Sequence, residues 1–509
     1  MDIFSKVKKI FKKVENKGYE QNGEPEDINW NPDPESPDED IIDNLEDMRA
    51  RSRDLYMNNE IATAILDKYR TKVVGVGLIP KPTINYNYLG ITKEKAKEYE
   101  RIISLKFDAW AYSQNSDSSR IHDFYTLQSL VQLSWIMNGD VFAVLQRKAT
   151  KEIDIELCIQ LLEADRIINP NGADKSIKGG VELGENGELK NYYISNKHPG
   201  EGNVEIKKYP VFNSLGRRTI LHIFEASRIG QRRGIPLLAP VLRTFKQLDR
   251  YKKAEIMAAV LNSSIAMTLK TEDPSQYLNK NKITESMGQT PQEKISSKGQ
   301  LQKEIVKEFG KGQIFITRPD EELKEFAVTR PNKNYKDFVE KIGEEIGAGT
   351  GLPVEVMMSA FKSSYSAAKA SLEEAEARFK TSRRVIEKKF CQPIYEEFII
   401  ELMKNGDIQC PNFFEDATVR YAFSKCIWIG TNKTSLDQLK DAKADEVNLR
   451  NRTTTRAIIA RRNGLDYEDI VREIIEEDEM LSKHQANLNK MKQKKGGEQI
   501  EEQKLVGNK

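Results

Sequence analysis

Between Thr219 and Tyr251 the spacing of apolar residues switches from a continuous run to a period of three. Thr219, Ile220, Leu221, Ile223 and Phe224 read as a strand, and Arg228, Gly230, Gly234 and Pro236 punctuate the loop that follows. Leu242, Phe245, Leu248 and Tyr251 then form one stripe of a helix from Pro240 to about Leu269, with Arg243, Lys246, Arg250, Lys252 and Lys253 along its flank. No catalytic motif needs this arrangement, so the block reads as scaffold.

The same reading predicts helices over 48–78, 92–114 and 125–137, then short strands near 140–146, 153–162, 192–195 and 220–224. Residues 271–303 carry few periodic apolar residues and read as a mobile loop. Strand-like runs at 313–317 and 325–329 precede a helix bearing Phe338, Ile342 and Ile346, which Gly347, Gly349 and Gly351 end ahead of Pro353. Ser363, Ser364 or Ser366 caps the next helix, whose stripe of Leu372, Phe379, Ile386 and Phe390 runs to a kink at Pro393. A helix over 394–403 and further helices over 444–480 complete an α+β fold that is predominantly helical, and 483–509 reads as a disordered tail.

At the N-terminus, Ile3, Phe4, Val7, Ile10, Phe11 and Val14 share a helical face opposite Lys6, Lys9, Lys12 and Lys13. A short helix docked on this or a neighbouring subunit and a helix lying on a membrane both fit that pattern. Residues 18–48 hold twelve acidic residues and no Lys or Arg, which reads as a poorly ordered Pro-rich linker. Net charge over 509 residues is only +2, so the chain is not a uniformly basic DNA-coating protein. No apolar run is long enough to span a bilayer.

Chemistry is sparse. Cys158, Cys391, Cys410 and Cys426 form no CxxC pair, which argues against a zinc site or a disulfide framework and fits a reducing compartment. None of His122, His198, His222 and His484 sits in a metal-binding pair, and His222 reads as a hydrogen-bonded core residue. Gly310, Lys311 and Gly312 lack phosphate-loop spacing, while Gly75 and Gly77 fit a helix C-cap better than a dinucleotide loop. No catalytic residue, cofactor or metal site is expected. Basic residues matter more: Arg383, Arg384, Lys388 and Lys389 cluster before Pro393, either as a solvated or interface face or, in a cyclic oligomer, as a ring touching DNA phosphates without sequence preference.

Four ordered blocks carry a resemblance. They are RARSRDLYMNN from Arg49 with VVGVGL from Val73, NGDVF from Asn138, the loop and helix containing Arg228, Gly230, Gln231, Arg233, Gly234, Pro236, Leu238, Ala239, Pro240, Leu242, Asp249, Tyr251, Ala254 and Glu255, and GLPVEVMMSAFKSSYSAAKA from Gly351, which includes Tyr365. In these the chain resembles the lambda-type family of tailed-phage portal proteins. The resemblance implies a portal fold with wing, stem, clip and crown, placed here as an N-terminal basic segment and acidic linker (1–48), wing (49–240), first stem helix (241–269), clip (270–359), second stem helix leading to a tunnel loop (360–392), crown (393–482) and tail (483–509).

It further implies a homo-oligomeric, dodecameric ring at the capsid vertex of the virion, assembled in the bacterial cytoplasm, through which double-stranded DNA is packaged and ejected. Its partners would be the terminase large subunit, which supplies ATP hydrolysis, the major capsid or scaffolding protein, and a head-to-tail connector; no membrane is involved. Two other classes stay open on the residues alone. A nucleic-acid-processing enzyme would need carboxylates that converge in space, and a membrane or adaptor protein would use the N-terminal amphipathic segment.

Overall fold

The computed structural model describes residues 34–270, 313–317, 334–361, 364–431 and 437–506, with side chains over 34–260, 334–361, 364–431 and 437–486. The N-terminal amphipathic stretch, residues 271–303 and the strand-like run read at 325–329 lie outside the described residues. Contacts divide the chain into one unit of Met1–Pro240 with Gly347–Lys509, and a second of Val241–Ile346.

Among the described residues the first unit opens with α1 (Pro37–Asn58), so the acidic stretch is helical from Pro37 on. Ser36 and Glu39 form a reciprocal capping box, Pro37 starts the first turn, and Asp38, Glu39 and Asp40 place negative charge at the positive end of the helix dipole. Ile41, Leu45 and Met48 bury the other face. The single helix expected over 48–78 is two. Asn59 takes an extended conformation, and its side chain accepts from the amides of Ile61 and Ala62 to start α2 (Glu60–Val73). Gly75 follows in the left-handed region, its amide bonded to the Arg70 carbonyl, as a helix C-terminus requires.

After β1 (Ile79–Pro82) and the single turn α3 (Tyr86–Leu89) come α4 (Lys93–Ala111) and α5 (Phe124–Asn138). Two small antiparallel sheets follow. One has the order β3-β2-β8, from β2 (Val141–Arg147), β3 (Leu157–Glu163) and β8 (Ile220–Ile223); the other runs β4-β5-β6-β7, from β4 (Ile177–Lys178), β5 (Val181–Leu183), β6 (Leu189–Ser195) and β7 (Ile206–Pro210). Phe142, Leu162, Val181, Tyr192, Ile194 and Ile220 share a core in which the two sheets meet.

The second unit holds α6 (Leu242–Ser264), β9 (Ile265–Lys270), which pairs in parallel with β10 (Gln313–Thr317), and most of α7 (Tyr335–Thr350). Phe245 and Leu248 on α6 are buried, and Tyr251 lies 4.4 Å from the ring of Phe338 on α7. Ile256 and Met257, further along α6, are exposed. Gly347 and Gly349 do not end α7, which reaches Thr350 before Gly351 turns left-handed.

Returning to the first unit, α8 (Val354–Met358) precedes α9 (Tyr365–Ile386), which Ser364 caps by accepting from the Ala367 amide. The expected break at Pro393 is replaced by a π turn at Glu387–Cys391, and helical backbone continues into α10 (Gln392–Lys404). Pro393 has no N–H and its ring crowds the carbonyl four residues back. One wider turn, with the Gln392 amide on the Glu387 carbonyl, absorbs that crowding without ending the helix. Phe390, Tyr395 and Phe398 from this path pack with Phe107, Trp110 and Phe124 into the main aromatic core.

α11 (Ala417–Phe423), β11 (Cys426–Ile429), which pairs antiparallel with β1, α12 (Gln438–Arg450) and α13 (Arg456–Arg462) lead to α14 (Tyr467–Val506). The disordered tail read over 483–509 is therefore replaced by helical backbone as far as Val506.

Candidate functional site

The loop between β8 and α6 is built around its polar residues. Gln231 is almost completely buried. Its Oε1 accepts from the amides of Ser227 (2.8 Å) and Arg228 (3.2 Å), and its Nε2 donates to the Arg233 carbonyl at 2.7 Å. Gly230 supplies the positive φ of 84° that closes this turn. Arg228 reaches out to Asp40 and to the Glu35 carbonyl, and Arg232 lies 2.9 Å from Asp38. The first turn of α1 is thus held on the basic loop of its own chain.

Arg233 points inward and is 2 % exposed. It donates to Asp140 from Nε (2.6 Å) and Nη2 (3.2 Å), and to the carbonyls of Ala164 (2.7 Å), Gly179 (2.6 Å) and Ile167 (2.9 Å). Asp140, directly after α5, also receives Arg49 Nη2 at 2.7 Å and the Gly234 amide at 3.1 Å. Arg49 in turn donates to the Asn138 carbonyl, and Arg53, one helical turn on, bonds the Asn138 side chain and pairs with Asp165. Three sequence blocks far apart in the chain meet at this one buried carboxylate.

The electrostatics follow from burial. Desolvation alone would raise the Asp140 carboxyl, yet Arg233 and Arg49 beside it hold it well below the usual carboxylate range. Burial lowers the Arg49 guanidinium to about 10, against the pull of Asp140. His222 lies 3.2 Å from Asp140 and stacks between Phe142 (4.1 Å) and Phe224 (4.3 Å). Burial pushes its pKa down to about 4. Because the ionised Asp140 can only accept, the neutral ring carries its proton on Nε2. This is a hydrogen-bonded core histidine.

Gly139 and Gly234 touch here through backbone. A Cβ on Gly139 would stand 2.5 Å from the Gly234 carbonyl carbon, and one on Gly234 would stand 1.8 Å from the Gly139 oxygen. Both positions therefore admit only glycine. Pro236 is buried, and its carbonyl accepts from Ala239 as the chain enters the short 3-10 turn Ala239–Val241 that contains the exposed Pro240. Tyr365 opens α9 half-exposed, with the Lys440 ammonium 4.7 Å from its ring centre.

The four basic residues before Pro393 part company. Arg383 donates to the carbonyls of Val73 (2.9 Å) and Lys72 (2.7 Å) and to the Thr431 hydroxyl (2.9 Å), which ties the C-terminus of α2 to α9. Lys389 donates to the Phe224 carbonyl at 2.6 Å and lies over that residue's ring. Arg384 and Lys388 are exposed.

Among the described residues one carboxylate and imidazole cluster has metal-ligating reach: Glu163, Asp165 and His198, whose ligand atoms lie within 4.8 Å of one another. Asp165 already pairs with Arg49 and Arg53, so a cation there would face two fixed positive charges. The geometry of this junction holds polypeptide together.

The sequence blocks that build this junction match a family model described as phage portal protein, lambda family, over residues 24–383. The chain belongs to that family. Among curated relatives, it is 23 % identical to Portal protein B of Escherichia phage lambda, over 88 % of this chain and 86 % of the relative, and 23 % identical to the Portal protein of Escherichia phage N15, over 90 % and 88 %. A chain from the virion of a native gene transfer agent particle aligns over 83 % of this chain and 93 % of its own length at 12 % identity, with a TM-score of 0.38. In this member of the portal family, Asp140, Arg49, Arg233 and the Gly139–Gly234 contact join α1, α5 and the loop that follows β8. Sequence reading singled out Arg233 and Gly234, and quoted the blocks that hold Arg49, Gly139 and Asp140 without giving those three residues a role. The signals available were the paired arginines of RARSRD, four apart on one helix face, and a lone aspartate after Asn-Gly.

Proposed function

We infer that this portal protein works as a dodecameric ring at the capsid vertex, a passive conduit through which double-stranded DNA enters during packaging and leaves on ejection. Family membership over residues 24–383 carries the reading. The exposed Ile256 and Met257 on α6, beyond its buried first half, support it, because apolar positions on a stem helix are covered when subunits close side by side. ATP hydrolysis is the work of a separate terminase large subunit docking on the ring. The major capsid or scaffolding protein and a head-to-tail connector engage its other surfaces, and assembly takes place in the host cytoplasm. The wing, stem, clip and crown boundaries proposed from the sequence apply to this ring.

Of the four exposed or half-exposed basic residues, Arg384 and Lys388 would meet DNA most readily, since Arg383 makes three hydrogen bonds within the chain and Lys389 one, to the Phe224 carbonyl. Repeated around a ring, two exposed cations per subunit contact many phosphates without reading sequence. Native mass spectrometry with negative-stain imaging of the purified full chain tests the assembly. A large ring with a central hole is expected, and a chain that stays monomeric at high concentration overturns the reading.

A further inference from the structure

The C-terminal helix α14 leaves the body of the protein with an apolar stripe uncovered. Its first turns are fastened: Lys81 pairs with Asp466, and Lys97 with Glu468 at 2.9 Å. From Arg472 to Ala486 every side chain is exposed. At about 100° per residue, Ile470, Val471, Ile474, Ile475 and Leu481 fall on one side of this helix. Ile474 is 50 % exposed, Ile475 54 % and Leu481 58 %. Acidic residues edge the stripe, with Glu473 and Glu477 along one side and Glu479, which pairs with Lys483, along the other, while Asp478 falls within it between Ile474 and Val471. A parallel copy of the same helix would set these carboxylates against one another, which is destabilising.

We propose that this face of α14 is the docking site of the N-terminal segment Met1–Lys17 of the same polypeptide, in the same or an adjacent copy. That segment repeats the stripe with the opposite charge. Ile3, Phe4, Val7, Ile10, Phe11 and Val14 share one helical face, and Lys6 and Lys13 on one edge and Lys8 on the other correspond to the acidic edges of α14. As a helix, 17 residues extend about 25 Å, comparable with the Ile470–Leu481 stripe and its margins. The residues between Lys17 and Pro34 give it a reach of up to about 55 Å. The acidic residues nearer in sequence are less available to it, because Asp38, Asp40 and the Glu35 carbonyl already engage Arg228 and Arg232. When both segments belong to one copy the contact does not depend on ring closure.

Site-specific photocrosslinking of the full-length protein tests it, with p-benzoylphenylalanine in place of Phe11 and the adducts mapped by mass spectrometry. Crosslinks to 467–486 are expected. Their yield should fall about tenfold when Ile474→Ser, Ile475→Ser and Leu481→Ser are combined, given the apolar burial those side chains would supply. All three are exposed, so the fold is not at stake, and circular dichroism checks that the helix remains. Lys6→Glu with Lys13→Glu should also lose the crosslink, and adding Glu473→Lys with Glu477→Lys should restore it. Crosslinks that map elsewhere, transfer of the segment to anionic vesicles in place of α14, or a yield unmoved by the triple variant would overturn the proposal. A monomer that still crosslinks in this way would keep it and sink only the ring reading.

Discussion

Asp140 and Arg233 meet through two N–H donors, at 2.6 and 3.2 Å, with neither residue more than 2 % exposed. A buried pair of this kind need not stabilise the fold relative to an apolar one, but breaking it leaves an uncompensated charge. Asp140→Asn strands the guanidiniums of Arg233 and Arg49 and should cost roughly 3–5 kcal/mol. Differential scanning calorimetry of the full-length variant should show the melting transition well below that of the parent. An unchanged transition would mean the junction does not hold these elements together.

Gly139 and Gly234 should tolerate no side chain. In Gly139→Ala the new Cβ lies 2.5 Å from backbone that cannot rotate away, so the variant is expected in the insoluble fraction. Gly216→Ala is the control: its φ is also positive, at 73°, but nothing lies near the added Cβ. It should remain soluble and lose about 1 kcal/mol for backbone strain alone. Soluble yield and thermal stability separate the two.

Two buried groups should tilt stability with pH in opposite directions. His222 is lowered to about 4, so below its ordinary 6.5 the unfolded chain binds the proton first, and stability falls as pH drops from 6.5 towards 4. Glu387, in the π turn, is raised by burial to about 7, despite Arg383 and Arg384, so stability is present below 4.5 and is lost as pH climbs towards 7. Between 4.5 and 6.5 the two slopes largely cancel. Glu387→Gln should expose the histidine slope, with stability rising from pH 4 to 6.5, and His222→Asn should expose the opposite one. Melting temperatures across pH 4–8 read both, and a flat profile for both variants would refute the assignment.

The basic cluster before Pro393 should divide by function. Arg383→Ala removes three hydrogen bonds, two to backbone carbonyls at the end of α2, and should destabilise by about 2 kcal/mol or more. Arg384→Ala with Lys388→Ala should change stability by less than about 0.5 kcal/mol, as expected for exposed side chains. It should instead weaken the assembled protein's retention of DNA and flatten its salt dependence by roughly one unit per lost contact. The assays are thermal melting and filter binding over a salt series.

Much of the local structure was legible in the chain. The strand near Ile220, the helix carrying Leu242, Phe245 and Leu248, and a serine cap among Ser363, Ser364 and Ser366 all follow from spacing and side-chain chemistry within a few residues; the structure selects Ser364. Where expectation and structure part, the deciding group lies far off in sequence or belongs to the backbone. The acidic stretch is helical from Pro37 because Arg228 and Arg232, nearly two hundred residues later, neutralise the first turn of α1 and the core accepts Ile41 and Leu45. Pro393 fails to end its helix because a π turn is available to take up the crowding.

By itself, the sequence determined the family, the main helices and the strands β2, β3, β6, β8 and β10, because each rests on residue type and near-neighbour spacing, whereas β9 replaces the end of the helix expected to reach Leu269. Only tertiary structure decided which polar residues carry weight. Arg383 and Arg384 are adjacent and chemically identical, yet one is consumed by backbone carbonyls and the other faces water. Asp140, one carboxylate among many, became the centre of the junction because folding brought two arginines, a histidine and a glycine amide to it with water excluded. The strength of a charge depends on what surrounds it, and that is settled by contacts across the whole chain.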